Sequence, residues 1–266
     1  MRRFYNQLGW ICGKNMFFLI VFSMAAVLAA APPDPPPASR YAPIADLATQ
    51  VDYHIGMLEK ALDTSADEYN ELKQKTVSKN AGMLAVLALV IGNHDQDHGL
   101  KASAGQVLAA AERLAAVAND PAAARAEFTR IKTAIAGEAA DGGGPAASLK
   151  WRKVADLEGL MKQVQFLNSR LKRSVKGSKL KSQADKTTAY SATLAAIAQA
   201  TLADTSDVEN PADLDKWYQF CAEMRDAAGE VNQAIHQQDE ESVQAAMEKL
   251  KASCDACHAV FEEDQL

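Results

Sequence analysis

Residues 239–261 read DEESVQAAMEKLKASCDACHAVF. Asp239 stands where a helix N-cap is wanted, and Glu240 and Glu241 favour the positive end of the helix that follows. Val243, Met247, Leu250, Cys254, Cys257 and Phe261 recur three and four apart, which puts them on one apolar stripe. Just upstream, Leu214, Trp217, Cys221, Met224, Ala228, Val231 and Ile235 keep the same rhythm. Consecutive stripes of this kind are the facing seams of an antiparallel helical bundle. The expected fold class is all-α.

The rest of the chain agrees. Hydrophobic residues make up 48% of the 266 residues and aromatics only 6%, with glycine and proline clustered rather than scattered. That is the balance of a helical protein. After the proline-rich start the one strong break is EAADGGGPAAS at 138–148, which reads as a linker. The segments on either side align with each other. IADLATQVDYHIGMLEKAL (44–62) runs without gaps against VADLEGLMKQVQFLNSRLK (154–172). SKNAGMLAVLALVIG (78–92) pairs with DKTTAYSATLAAIAQ (185–199), and NDPAAARAEFTRIKTAI (119–135) with QDEESVQAAMEKLKASC (238–254). Identity is low, but order, spacing and apolar pattern agree, the mark of a tandem duplication. Asp120 before Pro121 takes the capping place in the first unit that Asp239 takes in the second. The expected organisation is two tandem up-down-up-down four-helix bundles, 41–138 and 149–266, joined by the 139–148 linker.

The N-terminus speaks to location. MRRFYNQLGWICGKN is basic, and MFFLIVFSMAAVLAAA is apolar and ends in alanines. This is the pattern of a secretory signal peptide over 1–31, with a small-residue cleavage site at Ala29–Ala31. The apolar run has 16 residues, fewer than the roughly 20 a spanning helix needs. No stable membrane span is expected after cleavage, an uncleaved anchor being the rival reading, and the expected location is the periplasm or another exported compartment. Residues 32–40 read as a stiff exposed spacer. The formal charge is −6, and loss of Arg2, Arg3 and Lys14 with the leader makes the remainder more acidic. With no basic patch to hold phosphates, nucleic acid is excluded as a partner class.

Cys254, Cys257 and His258 fall at i, i+3 and i+4, so on a helix they share one face, and that face is the bundle's own apolar stripe. CxxCH is the c-type haem attachment signature: two thiols can add to the vinyl groups and the histidine can bind the iron. Three other chemistries compete for the motif. A thiol-redox CxxC belongs at a strand-to-helix junction, and no strand is predicted here. A zinc site needs further ligands at matching spacing. A disulfide across one helical turn fits poorly with disulfide geometry.

On these residues the C-terminal unit resembles cytochrome c′ and its relatives, the class II c-type cytochromes, whose fold is a four-helix bundle with CxxCH in the last helix. The resemblance covers 149–263 and reaches 41–138 only through the internal repeat. It implies one covalent haem c, with Cys254 and Cys257 as thioether residues and His258 as proximal iron ligand. Aligning SVKG (174–177) with the similar family segment puts Met161 on the distal side. Three departures stand out. Leu157 occupies the place of a family arginine, and Phe261 is followed by Glu262 where a basic residue is usual. In the first unit Ile135, Glu138 and Ala139 replace the two cysteines and the histidine, so that unit is expected to be haem-free. As bundles of this family pair as dimers, the two units are expected to dock as an internal pseudo-dimer.

Other residues invite plainer readings. Cys221 reads as a small buried hydrophobe, and Cys12 lies in the leader. His94 and His98, with Asp95 and Asp97, read as a solvated loop rather than a metal site. His54 reads as a satisfied, partly buried histidine, and His236 as a cation near a helix end. The basic run SRLKRSVKGSKLK (169–181) reads as a solvated face. No Ser/His/Asp set, phosphate-cradling loop or carboxylate pair points to an enzyme. The expected function is electron transfer by an exported c-type cytochrome toward an unnamed redox partner. The alternative is a haem protein that binds or senses NO or CO at an open iron position.

Overall fold

The computed structural model describes residues 32–137 and 149–261. The leader over 1–31 and the 139–148 linker lie outside the described residues, as do Glu138, Ala139 and Glu262. What is described is all-helical, without a strand. Five helices precede the linker: α1 (Ile44–Leu62), the short α2 (Ala66–Leu72), α3 (Lys79–Gly92), α4 (Gly99–Ala116) and α5 (Pro121–Ile135). Five follow: α6 (Leu157–Ser174), the short α7 (Ser178–Ser182), α8 (Ala184–Thr201), α9 (Leu214–Gln237) and α10 (Glu240–Phe261). A π-helical turn, Lys73–Ser78, leads α2 into α3.

The caps foreseen from sequence are present. Asp120 accepts from the Ala122 and Ala123 backbone N–H groups, and Asp239 from those of Glu241 and Ser242. In the first half α1 packs on α3 and α5, and α4 packs on α3 and α5; in the second, α8 packs on α6 and α9, and α9 on α10. The central helices α3 and α8 are buried along nearly their whole length and touch each other across the halves. In α8 the interior is built from alanine with buried threonine and serine. Thr187, Ser191, Thr193 and Thr201 return their hydroxyls to carbonyls one turn back, so none of these four buried hydroxyls is stranded. Residues 75–92 are long and apolar enough to cross a membrane, yet most of that stretch lies inside the protein core.

One apolar core runs through both halves, with a smaller cluster of Leu157, Leu202, Trp217, Tyr218 and Cys221 at one end of the second. Polar contacts also cross between them. Buried Asp46 on α1 accepts from Asn232 Nδ2 at 2.8 Å and pairs with His236 Nε2 at 2.9 Å, both on α9. Gln233 donates to the Arg40 carbonyl at 3.0 Å. Gly229 lets α9 come so close that an added Cβ would lie 2.8 Å from Tyr41 Cα.

Several expectations change. The 32–40 spacer is not exposed throughout: Ala38 is buried, and Ser39 bonds Asp95 through its backbone N–H (2.8 Å) and its hydroxyl (2.5 Å). The helix expected from Val154 begins at Leu157, because the Asp156 carboxylate accepts from Gly159 N–H at 2.8 Å and caps there. Residues 149–155 instead lie along the first half: Leu149 packs beside Gly92, Ala155 beside Gly82, and Arg152 pairs with Glu112. His236, read as a cation suited to a helix end, reaches across to Asp46. The His94 loop is not simply solvated. His94 is buried, its Nε2 3.0 Å from the Ala42 carbonyl and its Nδ1 accepting from Gln96 N–H, while His98 caps α4. Among the described residues no cluster of His, Cys, Asp and Glu could hold a metal ion.

Candidate cofactor cavity

The Asp239 cap fixes where α10 starts, and the stripe then decides which residues turn inward. Val243, Met247 and Leu250 are fully packed. One turn further the same face runs out of cover, and Cys254, Cys257 and His258 come to lie half-buried on the wall of a cavity of about 360 Å³. The facing wall is α6, which contributes Leu157, Met161, Val164 and Asn168. Between them α9 supplies Trp217, Cys221 and Met224. Phe261 closes one end, edge-on to Trp217 at 5.1 Å between ring centres. Trp217 is itself held by its indole N–H, 3.3 Å from the Thr201 carbonyl.

The cavity wall is mostly apolar in area but also carries Glu158, Asp207 and Asp255, and its size falls in the roughly 300–1,000 Å³ range of small-molecule and cofactor sites. Burial raises the Cys254 thiol above the usual thiol range, and a hydrogen bond with Ser253, then Lys172 on α6, draw it partly back. The Cys221 thiol is pushed up more strongly, first by burial and then by the neighbouring Cys257. Both thiols are therefore protonated at neutral pH. The Asn168 side-chain oxygen is buried without a hydrogen-bond partner among the described residues.

Every residue singled out in the sequence for haem binding is brought here. Cys254, Cys257 and His258 share one wall, and Met161 lies on the other. Leu157 adds only apolar surface. Cys221 is buried as expected, but it belongs to the cavity wall rather than to featureless core. Its signal in the sequence was the Trp217–Cys221–Met224 spacing, which carries it onto the face that meets α10. Asn168 had no signal, since an Asn on a helix is ordinarily a surface residue.

The first half has its own counterpart, lined by Val51, Ala88, Ile91, Ala104 and Ile135 among others, with a volume of only about 10 Å³. Val51 and Ile135 are the repeat equivalents of Met161 and Cys254.

No protein-family model, no curated protein and no solved structure matches the chain.

Proposed function

We propose that the α6–α10 cavity holds one covalent haem c and that the chain is an exported electron carrier. Two four-helix bundles would be docked as an internal pseudo-dimer, the first of them haem-free scaffold. The observation that carries this reading is the convergence of the whole donor set on one apolar cavity. Two thiols and an imidazole line one wall, and a thioether faces them.

In this reading Cys254 and Cys257 would hold the haem through thioether bonds, each S–H adding across a vinyl group with no leaving group needed. His258 and Met161, on opposite walls, would hold the iron. Haem iron supplies one-electron redox chemistry, and a methionine ligand raises its potential. Leu157, Val164 and Trp217 would keep water off the buried side. The likeness to cytochrome c′ in the order of helices and the place of CxxCH supports the same assignment.

The test is the full chain expressed with haem-attachment machinery. Pyridine haemochrome and intact mass should give one haem per chain, resistant to acid solvent. Two haems, an extractable haem or a colourless protein would overturn it. The ferric spectrum should carry the long-wavelength charge-transfer band of methionine ligation, and Met161→Leu should remove it. A wild type that lacks the band and binds carbon monoxide at once when reduced is a gas-binding protein instead.

A further inference from the structure

Cys221 is a third thiol on the cavity wall, and the register of α9 against α10 decides what it faces. The two helices pack on each other and run antiparallel, and two contacts fix how they slide. Trp217 stacks edge-on to Phe261, and Lys249 Nζ pairs with Glu230 Oε2 at 2.6 Å. Four residues along α9 from Trp217 stands Cys221, and four residues back along α10 from Phe261 stands Cys257. Positions four apart share a helix face. Cys221 and Cys257 therefore occupy the next rung of the same interface, and both line the cavity. Cys254, in contrast, is one turn from Cys257 on the same helix, where a disulfide fits poorly.

We propose that, before haem is attached, Cys221 and Cys257 form a disulfide across the α9–α10 interface, so that the redox state of this pair decides whether Cys257 is available to the cofactor. The oxidant is a small or protein disulfide. The half-buried Cys257 gives up its proton and attacks one oxidant sulfur, forming a mixed disulfide and expelling a thiolate that takes the proton. Cys221 then attacks the Cys257 sulfur and expels the second thiol, which takes the Cys221 proton. Two protein thiols are oxidised to one disulfide, and the oxidant disulfide is reduced to two thiols. Burial keeps Cys221 protonated, so the second step is the slow one. The same burial shields the finished bridge from reductant.

The gate rests on the haem reading, whereas the bridge does not. Haem-free full-length chain is incubated with oxidised glutathione, alkylated, digested without reduction and mapped by mass spectrometry. A peptide joining Cys221 to Cys257 is expected, with both residues lost to alkylation, and Cys221→Ala should lack it. A Cys254–Cys257 bridge, or a Cys221 still fully alkylated after oxidation, overturns the proposal. For the gate, wild type and Cys221→Ala are expressed with attachment machinery in an oxidising compartment. Haem per chain should rise in the variant; equal loading refutes the gate. If neither chain takes haem even after reduction, the haem reading and the gate fall together while a mapped bridge stands.

Discussion

The two halves repeat one order of helices, yet one encloses a cavity of about 360 Å³ and the other a gap of about 10 Å³. The difference does not lie in how apolar the facing walls are. Val51 and Met161 are both apolar, as are Ile135 and Cys254 in their packing. It lies in how the fourth helix meets the first. In the first half α1 packs directly on α5, and Ile135 and Val51 fill the intervening space. In the second, α6 and α10 flank an open slot, and the smaller Cys254 and Cys257 leave room beside it. The open and the closed arrangement thus share one order of helices. What differs is a branched aliphatic, Ile135, at the place of the Cys254 thiol and Val51 at the place of the Met161 thioether.

The strongest test of that contrast is covalent loading. Cys254→Ala combined with Cys257→Ala should take haem from one per chain to none. Ile135→Cys in the otherwise native chain should leave it at one, because a thiol alone does not open the closed half. A second haem on that variant, read by intact mass, would mean that the first half opens without help.

A second contrast involves His54, which takes the place of the cavity-lining Val164. His54 is buried, its Nδ1 2.7 Å from Asn80 Oδ1, and burial lowers its pKa to about 4. The unfolded chain therefore binds a proton below about pH 6.5 that the folded chain refuses until about pH 4. Stability should fall as pH drops through that window, by roughly 3 kcal/mol. His54→Gln should move the acid-unfolding midpoint, followed by far-UV circular dichroism, to lower pH. An unchanged midpoint would remove His54 as the first half's acid-sensitive element.

The smallest effect expected concerns the contact between halves. Gly229→Ala forces a methyl against the Tyr41 backbone and should cost about 1–3 kcal/mol, read by urea unfolding. A neutral substitution would mean that the 38–42 segment yields easily, and scattering that shows two separate bodies would refute docking altogether.

Much of this was legible in the sequence because it is local. The bounds of α1, the two acidic caps and both stripes of α9 and α10 follow from periodicity and capping. What failed was tertiary. Asp46 and Asp156 are equivalent residues in the repeat, yet Asp156 caps a helix while Asp46 lies inside one and holds Asn232 and His236. The letter is the same and the neighbours differ. The cavity itself was legible only as a motif. Its volume depends on the separation of two helices, which no one-dimensional pattern records. Asn168 was missed for the same reason.

The polar contacts between α1 and α9 also bear on how the chain reaches its native state. Asp46 and Asn232 lie 186 positions apart, and Arg40 and Gln233 lie 193 apart. Helices form in about a microsecond, but closing loops of this length costs entropy that local contacts do not return. Each half can collapse on its own helices early, while the shared surface around α3 and α8 waits for the two to meet. Refolding should therefore show a fast rise in helicity followed by a slower consolidation of the buried interface. In that interval the apolar faces of α3 and α8 are open to other chains, which makes docking the step most exposed to aggregation.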